Sequence, residues 1–538
     1  MIGAEAIIKC LEAEDVKYVF GYPGVAICPF YNSILESDIK TVLVRTEQSA
    51  AHAASGLARI TGKPGVCAVT SGPGATNIIT GVATAYADSI PLIVITGQVK
   101  TDLIGSDVFQ EADITGAVES FVKYSYLVKK AEDLPRIFKE AFHIASSGRK
   151  GPVLIDIPID VQNDNIKNFK YPESVNLRTY KPTVKGNASQ IKKVIKELAK
   201  ADKPIMCIGG GVQLGQADDE VIKFAEKHNI PMVTTMMGIG TIPTDHPLYF
   251  GMVGNNGKPY ANKAMNESDC VMMVGARVAD RAISQPDLIT KDKVLIHIDV
   301  DPAEIGKNAV SSIPLVGDCE AIFEDLNKED FSSDTSKWLK ALEGFKKELK
   351  IVRKPNKKYV DPQNFIETLT DKLKDDAIYI ADVGQNQIFS CAYAKIKKGK
   401  FLTSGGMGTM GYSIPASLGA KLAAPKRQVV CVCGDGSFQM SMCELATFVQ
   451  HGVQAKIIVF NNNFLGMVRE YQHYSYKDNY SMVSLDGSPD LEKLVKAYGF
   501  DYLRLKTAKG LSEIIDKFLE DKNNCLLEVM IDPMDLVK

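Results

Sequence analysis

The residues best suited to chemistry lie in two short motifs of the C-terminal third, Gly434-Asp435-Gly436-Ser437 and Asn461-Asn462-Asn463. Asp435 and Asn462 stand 27 residues apart. The surrounding sequence reads as strand QVVCVC, loop GDGSF, a helix, and strand KIIVF. Ser441 and Glu444 have the S-x-x-E spacing of a capping box that would start that helix. Two parallel strands joined by one helical crossover lie side by side or nearly so. Both motifs then fall at the carboxyl ends of their strands, the ligand crevice of an open α/β sheet. An Asp carboxylate and an Asn carbonyl can bind Mg²⁺ there, with phosphate and water filling its other positions. The glycines let the backbone approach a diphosphate, and the helix start adds N–H donors.

Other candidates are weaker alone. Gly405-Gly406-Met407-Gly408-Thr409-Met410-Gly411-Tyr412 is a glycine-rich run carrying two methionines. Glu47 ends an apolar run, TVLV, as a strand-end carboxylate, and Ser71-Gly72-Pro73-Gly74-Ala75-Thr76-Asn77 reads as a tight turn feeding a helix. Arg277 and Arg281 are four apart. Gly209-Gly210-Gly211 follows a strand but lacks the GxGxxG dinucleotide spacing.

The elements that must position these residues recur in three blocks, 1–165, 187–330 and 360–538. Each alternates short apolar runs with amphipathic stretches. The runs are YVFG, TVLV, GVCAVTSG, LIVITG and GPVLIDIP; then PIMCIGGG, PMVTT, CVMMVGA and KVLIHIDV; then AIYIADVG, QVVCVCGDG, AKIIVFNNN and NCLLEVMID. That rhythm predicts three doubly wound parallel sheets, so the fold class is α/β. A polar linker covers roughly 163–186. A charged stretch around the sole Trp338 has helical spacing and is expected to be a solvated linker helix.

Composition excludes several classes. The chain has 538 residues, 45% hydrophobic and 24% charged, enough for several cores. Its net charge of -2 argues against a broad nucleic-acid surface. Its 11 cysteines are odd in number and form no CxxC pair, which argues against a disulfide framework or zinc site. No apolar stretch approaches the roughly 20 residues of a membrane span. The N-terminus reads as an amphipathic helix, not a signal peptide, so a cytoplasmic protein is expected.

GDGS followed by NNN resembles the signature of thiamine-diphosphate enzymes. Over the whole chain the sequence is similar to the acetolactate synthase large-subunit family. The carrying segments are Gly21-Tyr22-Pro23-Gly24, Glu47-Gln48, TSGPGATN, Phe109-Gln110-Glu111-Ala112-Asp113, GPVLIDIP, TSGGMGTMGYSIPA and GDGSF. The resemblance implies thiamine diphosphate, Mg²⁺ and FAD as cofactors. Asp435, Asn462 and Phe464 would hold the metal. Gln385, Gly434, Gly436 and Ser437 would face the diphosphate. Gly408, Met410, Pro73 and Asn77 would hold the pyrimidine, with Met410 enforcing a bent cofactor. A buried Glu47 would bond the pyrimidine ring nitrogen. Phe109 and Gln110 would flank the reacting carbons, and Arg281 would hold the carboxylate of the second 2-keto acid, a task suited to a guanidinium fork. Gly209, Gly210, Gly211, Thr234, Met236, Arg277 and Asp318 would line the flavin site. The implied reaction joins pyruvate to a second 2-keto acid, pyruvate or 2-ketobutyrate, as the first step of branched-chain amino acid synthesis. The implied assembly is a homodimer or dimer of dimers with active sites at the subunit interface, open to a regulatory small subunit.

The chain departs from the family at Val25, Thr46, Ile159, Val253, Val278, Ala279 and Asn386. Extra residues follow Val253. Tyr471 stands where biosynthetic members have a Trp that favours 2-ketobutyrate. A related flavin-containing pyruvate oxidase and a non-catalytic nucleotide-binding paralogue are the alternatives.

Overall fold

Every apolar run named above forms a strand, and the strands assemble into three parallel six-stranded sheets. The computed structural model describes residues 1–354 and 356–537. In spatial order the first sheet is Lys40–Leu43, Tyr18–Tyr22, Gly65–Val69, Leu92–Gln98, Pro152–Pro158 and Tyr124–Leu127. The second is Ile313–Val316, Val294–Asp299, Cys270–Val274, Pro204–Ile208, Met232–Thr234 and Tyr249–Met252. The third is Lys400–Leu402, Ile378–Ala381, Val429–Gly434, Lys456–Asn461, Cys525–Met530 and Asp501–Leu505. The inner strands are mostly buried, as sheets covered by helices on both faces require.

Five strands have no counterpart in the sequence reading: Tyr124–Leu127, Tyr249–Met252, Ile313–Val316, Lys400–Leu402 and Asp501–Leu505. All five are sheet edges. An edge strand is paired on one side only, and these are short or partly exposed, so none carries a continuous apolar run. The Trp338 stretch is the helix Ser336–Glu348, but it is docked, not solvated. Trp338 is buried, and its indole N–H donates to the Pro204 carbonyl at 3.1 Å. One aromatic anchor attaches a charged helix to the second sheet.

The contact that brings the first and third sheets together is made by the helices Glu47–Thr61 and Ser413–Ala423. Their facing residues are small: Ala50, Ala53, Ser55 and Gly56 on one, Ala416, Ser417, Gly419 and Ala420 on the other. A side chain on Gly56 would collide with the Ala416 carbonyl, and one on Gly419 with the Ala53 carbonyl. One continuous buried cluster runs through this contact, from Val42 and Cys67 to Leu418, Phe438 and Ile457. The helix that begins at Glu47 is therefore seated by backbone-to-backbone packing against the third sheet's layer.

Overpacking a close contact typically costs about 1–3 kcal/mol. We expect Gly56→Val to lower the unfolding free energy in urea by about 2 kcal/mol or more. An unchanged midpoint would mean that the helices are not held this close.

Candidate functional site

The third sheet builds the first half of the site. Gly434 pairs with Phe460, so the Asp435 and Asn462 motifs leave adjacent strands at the same edge. The Asp435 carboxylate accepts the N–H of Asn463 at 2.7 Å and of Gly436 at 3.1 Å. Asn462 Oδ1 accepts the Phe464 N–H at 3.0 Å, and its Nδ2 donates to Gln385 Oε1 at 3.3 Å. Gln385 in turn donates to Glu470 at 2.9 Å, and the Ser437 hydroxyl donates to the Val383 carbonyl at 3.0 Å. A Cβ on Gly436 would sit 3.4 Å from the Met410 methyl, so Met410 lies over the same turn.

Asp435 is buried, and burial pushes its carboxyl up to about 7. Among the described residues it has no cationic partner within ion-pair distance. A buried carboxylate beside an amide oxygen, without a counter-charge, suits a hard oxygen-loving cation. No cluster of three or more His, Cys, Asp or Glu poised to hold a metal occurs among the described residues, so such a cation would need further oxygens from a ligand.

The capping box does not form. The helix starts at Asp435 itself and runs to Ser441, whose buried hydroxyl has no partner. Glu444 instead reaches across to the first sheet's layer. Its carboxylate accepts the N–H of Arg45 at 2.9 Å and of Thr46 at 3.1 Å, and the Thr447 hydroxyl at 2.7 Å. The spacing was right for a cap, but a tertiary partner outcompetes the local one.

Those bonds hold the start of the helix whose first residue is Glu47, with Thr46 as its N-cap. Glu47 is thus a helix-start carboxylate and not a strand end, and in this chain it is half-buried, not buried. Its Oε2 accepts from Asn77 Nδ2 at 3.1 Å. Its Oε1 lies 3.4 Å from where a Cβ on Gly74 would be. Pro73 opens the short helix Pro73–Asn77, whose outer face is exposed. Gln110 covers Gly72, 2.9 Å from the place of a Gly72 Cβ, and has a left-handed backbone with φ 59°. Phe109 beside it is 87% exposed.

A strained Gln110 requires supports. Glu111 closes the loop by accepting the N–H groups of Gly105 and Val108. The Ala112 carbonyl accepts from Gln98 Nε2 at 2.8 Å, and Gln98 Nε2 also donates to Asp156 at 2.9 Å. Asp156 accepts the Thr96 hydroxyl at 2.7 Å, and burial pushes its carboxyl up to about 7. The sequence reading missed this support because each member is a lone polar residue inside an apolar strand.

All three layers contribute to a cavity of about 700 Å³. Gly210, Gly211, Met236, Arg277, Arg281, Asp318 and Gly408 line it. Gly209 and Thr234 do not. A side chain on Gly209 would collide with the Gly275 carbonyl, so this glycine serves loop packing, and the Thr234 hydroxyl pairs with Tyr249 at 3.0 Å. Arg277 donates to the Ala87 carbonyl at 2.9 Å. Asp88, next in sequence, accepts the N–H of Gly406 at 2.7 Å. Arg59, Asp88, Lys150 and Lys307 also line the cavity, and no sequence motif marked them.

Among the described residues no hydrogen bond or ion pair joins the Glu47 group to the Asp435 group. The helix Ile79–Ala87 also reaches the third sheet's layer, where Thr84 bonds Thr409 at 2.7 Å, next to Met410. Val25, Phe109 and Met482 are 76%, 87% and 93% exposed.

Three family models match in chain order: thiamine pyrophosphate enzyme N-terminal TPP binding domain over 1–117, central domain over 191–326 and C-terminal TPP binding domain over 382–529. Fold, paired motifs and these matches define the class, the thiamine pyrophosphate enzymes. A probable acetolactate synthase large subunit of Methanocaldococcus jannaschii is 43% identical across 99% of this chain and 93% of its own length. The acetolactate synthase large subunit of Haemophilus influenzae is 42% identical across 99% and 95%, and isozyme 3 of Escherichia coli 40% across 98% and 94%. The chain belongs to the acetolactate synthase large-subunit family.

Because the Asp156 value lies above the ordinary 3.8, the folded chain keeps a proton that the unfolded chain releases. Its contribution to stability is present below about 3.8 and is lost as pH rises through about 7. An Asn at 156 can still accept from Gln98 and donate to the Thr96 hydroxyl. Wild type should therefore lose stability relative to Asp156→Asn between pH 5 and pH 8 in urea unfolding. Parallel curves for the two proteins would contradict this.

Proposed function

We infer that the chain is the catalytic subunit of an acetolactate synthase. Two pyruvate ions and one proton give one 2-acetolactate ion and one CO₂, and 2-ketobutyrate can replace the second pyruvate. The reading rests on the co-occurrence, in a chain similar throughout to acetolactate synthase large subunits, of the Glu47–Asn77 pair and the buried Asp435–Asn462 pair. The division into 1–165, 187–330 and 360–538 is our proposal for the domains, each enclosing one sheet.

Asp435 and Asn462, with the backbone at Phe464, fit Mg²⁺ as argued above. Gly434, Gly436, Ser437 and Gln385 border the place of a diphosphate, and the Gly408 carbonyl, Met410, Pro73 and Asn77 that of a pyrimidine. When bound, thiamine diphosphate supplies a carbanion for the pyruvate keto carbon and an electron sink for loss of CO₂. The chain's own task is positioning and proton handling. Glu47 gives and takes a proton at Oε1, while Asn77 fixes Oε2 and so the orientation of the carboxylate. Gln110, held in a strained backbone over Gly72, presents its amide to the reacting carbons. Arg281 receives the carboxylate of the second keto acid.

The central cavity suits FAD in size, in its glycine-lined wall and in its arginines. No net electron transfer is required of a flavin here. Among the described residues no hydrogen bond or ion pair links the Glu47 and Asp435 groups, which supports a site completed by a second copy of the chain. Relatives named large subunits support a small regulatory partner. No described helix is long and apolar enough to cross a membrane, and the 11 cysteines are free, which fits the cytoplasm. Tyr471, 62% exposed on the helix Gly466–Tyr476, is our candidate for setting the acceptor preference.

Removing the acid–base function at Glu47 should be costly, typically by about 10²–10⁴-fold. Glu47→Gln should lose acetolactate formation to that extent while keeping its fold by circular dichroism. Full carboligation in Glu47→Gln would overturn the assignment.

A further inference from the structure

The segment after Val253 turns back against the backbone of Arg281. The chain turns at Gly254, whose φ of 111° favours glycine. A side chain there would also collide with the carbonyl oxygen of Arg281. The next residue, Asn255, donates its N–H to that same Arg281 carbonyl at 3.0 Å. Gly254 is itself held at two points by one side chain. Its N–H donates to Asn262 Oδ1 at 2.8 Å, and Asn262 Nδ2 donates back to its carbonyl at 3.0 Å. Asn262 sits on the helix Pro259–Glu267 and is fixed by that helix.

The need for such a support is visible on the other side of the contact. From Gly275 to Arg281 the chain is neither helix nor strand. Arg281 opens on the central cavity, as do Val253 and Asn256 of the turn. A long, exposed guanidinium on an irregular backbone is a poor receptor for a small carboxylate unless its root is fixed. The turn bonds the backbone of Arg281, so it sets where the guanidinium starts.

We propose that Asn262 and the Gly254–Asn255 turn are positioning residues for Arg281, setting how well the second 2-keto acid is captured. This rests on the reading of Arg281 as the carboxylate receptor. Capture competes with release of the two-carbon unit: pyruvate plus a proton then gives acetaldehyde and CO₂. Weak capture therefore shows as acetaldehyde, relieved by more acceptor, and not as a general loss of decarboxylation.

The test uses the full-length holoenzyme and measures CO₂, acetolactate and acetaldehyde against pyruvate concentration, with bound flavin quantified by absorbance. Gly254→Ala and Asn262→Ala should need about tenfold more pyruvate for half-maximal coupling of CO₂ to acetolactate, as expected for a displaced binding group. CO₂ release at saturating pyruvate and flavin content should stay near wild type. Asn262→Ala leaves the Gly254 backbone unobstructed, so it remains informative if Gly254→Ala fails to fold. Arg281→Gln serves as the reference. If Arg281→Gln uncouples the reaction and both turn variants stay coupled, the proposal is overturned and the Arg281 reading stands. If Arg281→Gln itself stays coupled, the reading of Arg281 falls first. Loss of flavin or of CO₂ release in step with coupling would mark the turn as merely structural and overturn the proposal.

Discussion

The close packing of the Glu47 helix against the Ser413 helix is the constraint from which the site follows. Glycines at 56 and 419 bring the two backbones into contact, and alanines and serines fill the remaining seam. Packing this tight leaves little freedom of sliding or tilt, because interiors resist small changes of volume. Glu47 is the first residue of one of these helices, so its place is set by the seam. Glu444 adds a second constraint from the same side by holding the N–H groups of Arg45 and Thr46. The first sheet thus supplies the carboxylate, and the third sheet's layer fixes where it stands.

A second theme is buried charge kept without a counter-charge. Asp435, Asp156 and Glu444 are all buried carboxylates whose protonated form is favoured by desolvation. Such groups are costly unless hydrogen-bonded. Asp156 and Glu444 have protein donors that orient loops: the Gln110 loop through Gln98, and the start of the Glu47 helix directly. Asp435 adjoins Asn462, accepts backbone N–H groups alone and, among the described residues, has no cation within ion-pair distance, which leaves it suited to a metal. The same physical situation therefore yields two supports and, in our proposal, one binding group, and the partners decide which.

Much of this was legible in the sequence, for reasons that can be named. Buried strands announce themselves as apolar runs, and all thirteen runs named from the sequence form strands. Of the six edge strands only Lys40–Leu43 carries such a run; the other five, short or partly exposed, carry none. GDGS and NNN were informative because their spacing placed both at the ends of neighbouring strands. Local rules failed where tertiary partners intervene: Glu444 leaves its capping box for the Arg45 backbone, and Trp338 anchors a helix that its charges describe as solvated. Lone polar residues such as Gln98, Asp156 and Asn262 were invisible, because their importance lies in what they touch across the fold.

The central claim is that one chain carries two half-sites that must meet between copies. We propose Glu47, Asn77 and Gln110 as one half and Asp435, Asn462 and Met410 as the other; among the described residues no hydrogen bond or ion pair joins the two groups. Co-expression of a Glu47→Gln chain with an Asp435→Ala chain tests this directly. If the halves combine across copies, one of the two sites in each mixed dimer is intact. Random pairing then restores about a quarter of wild-type acetolactate formation. If each chain completes its own site, every site in the mixture carries a defect. A mixed dimer no more active than either variant alone would contradict the account.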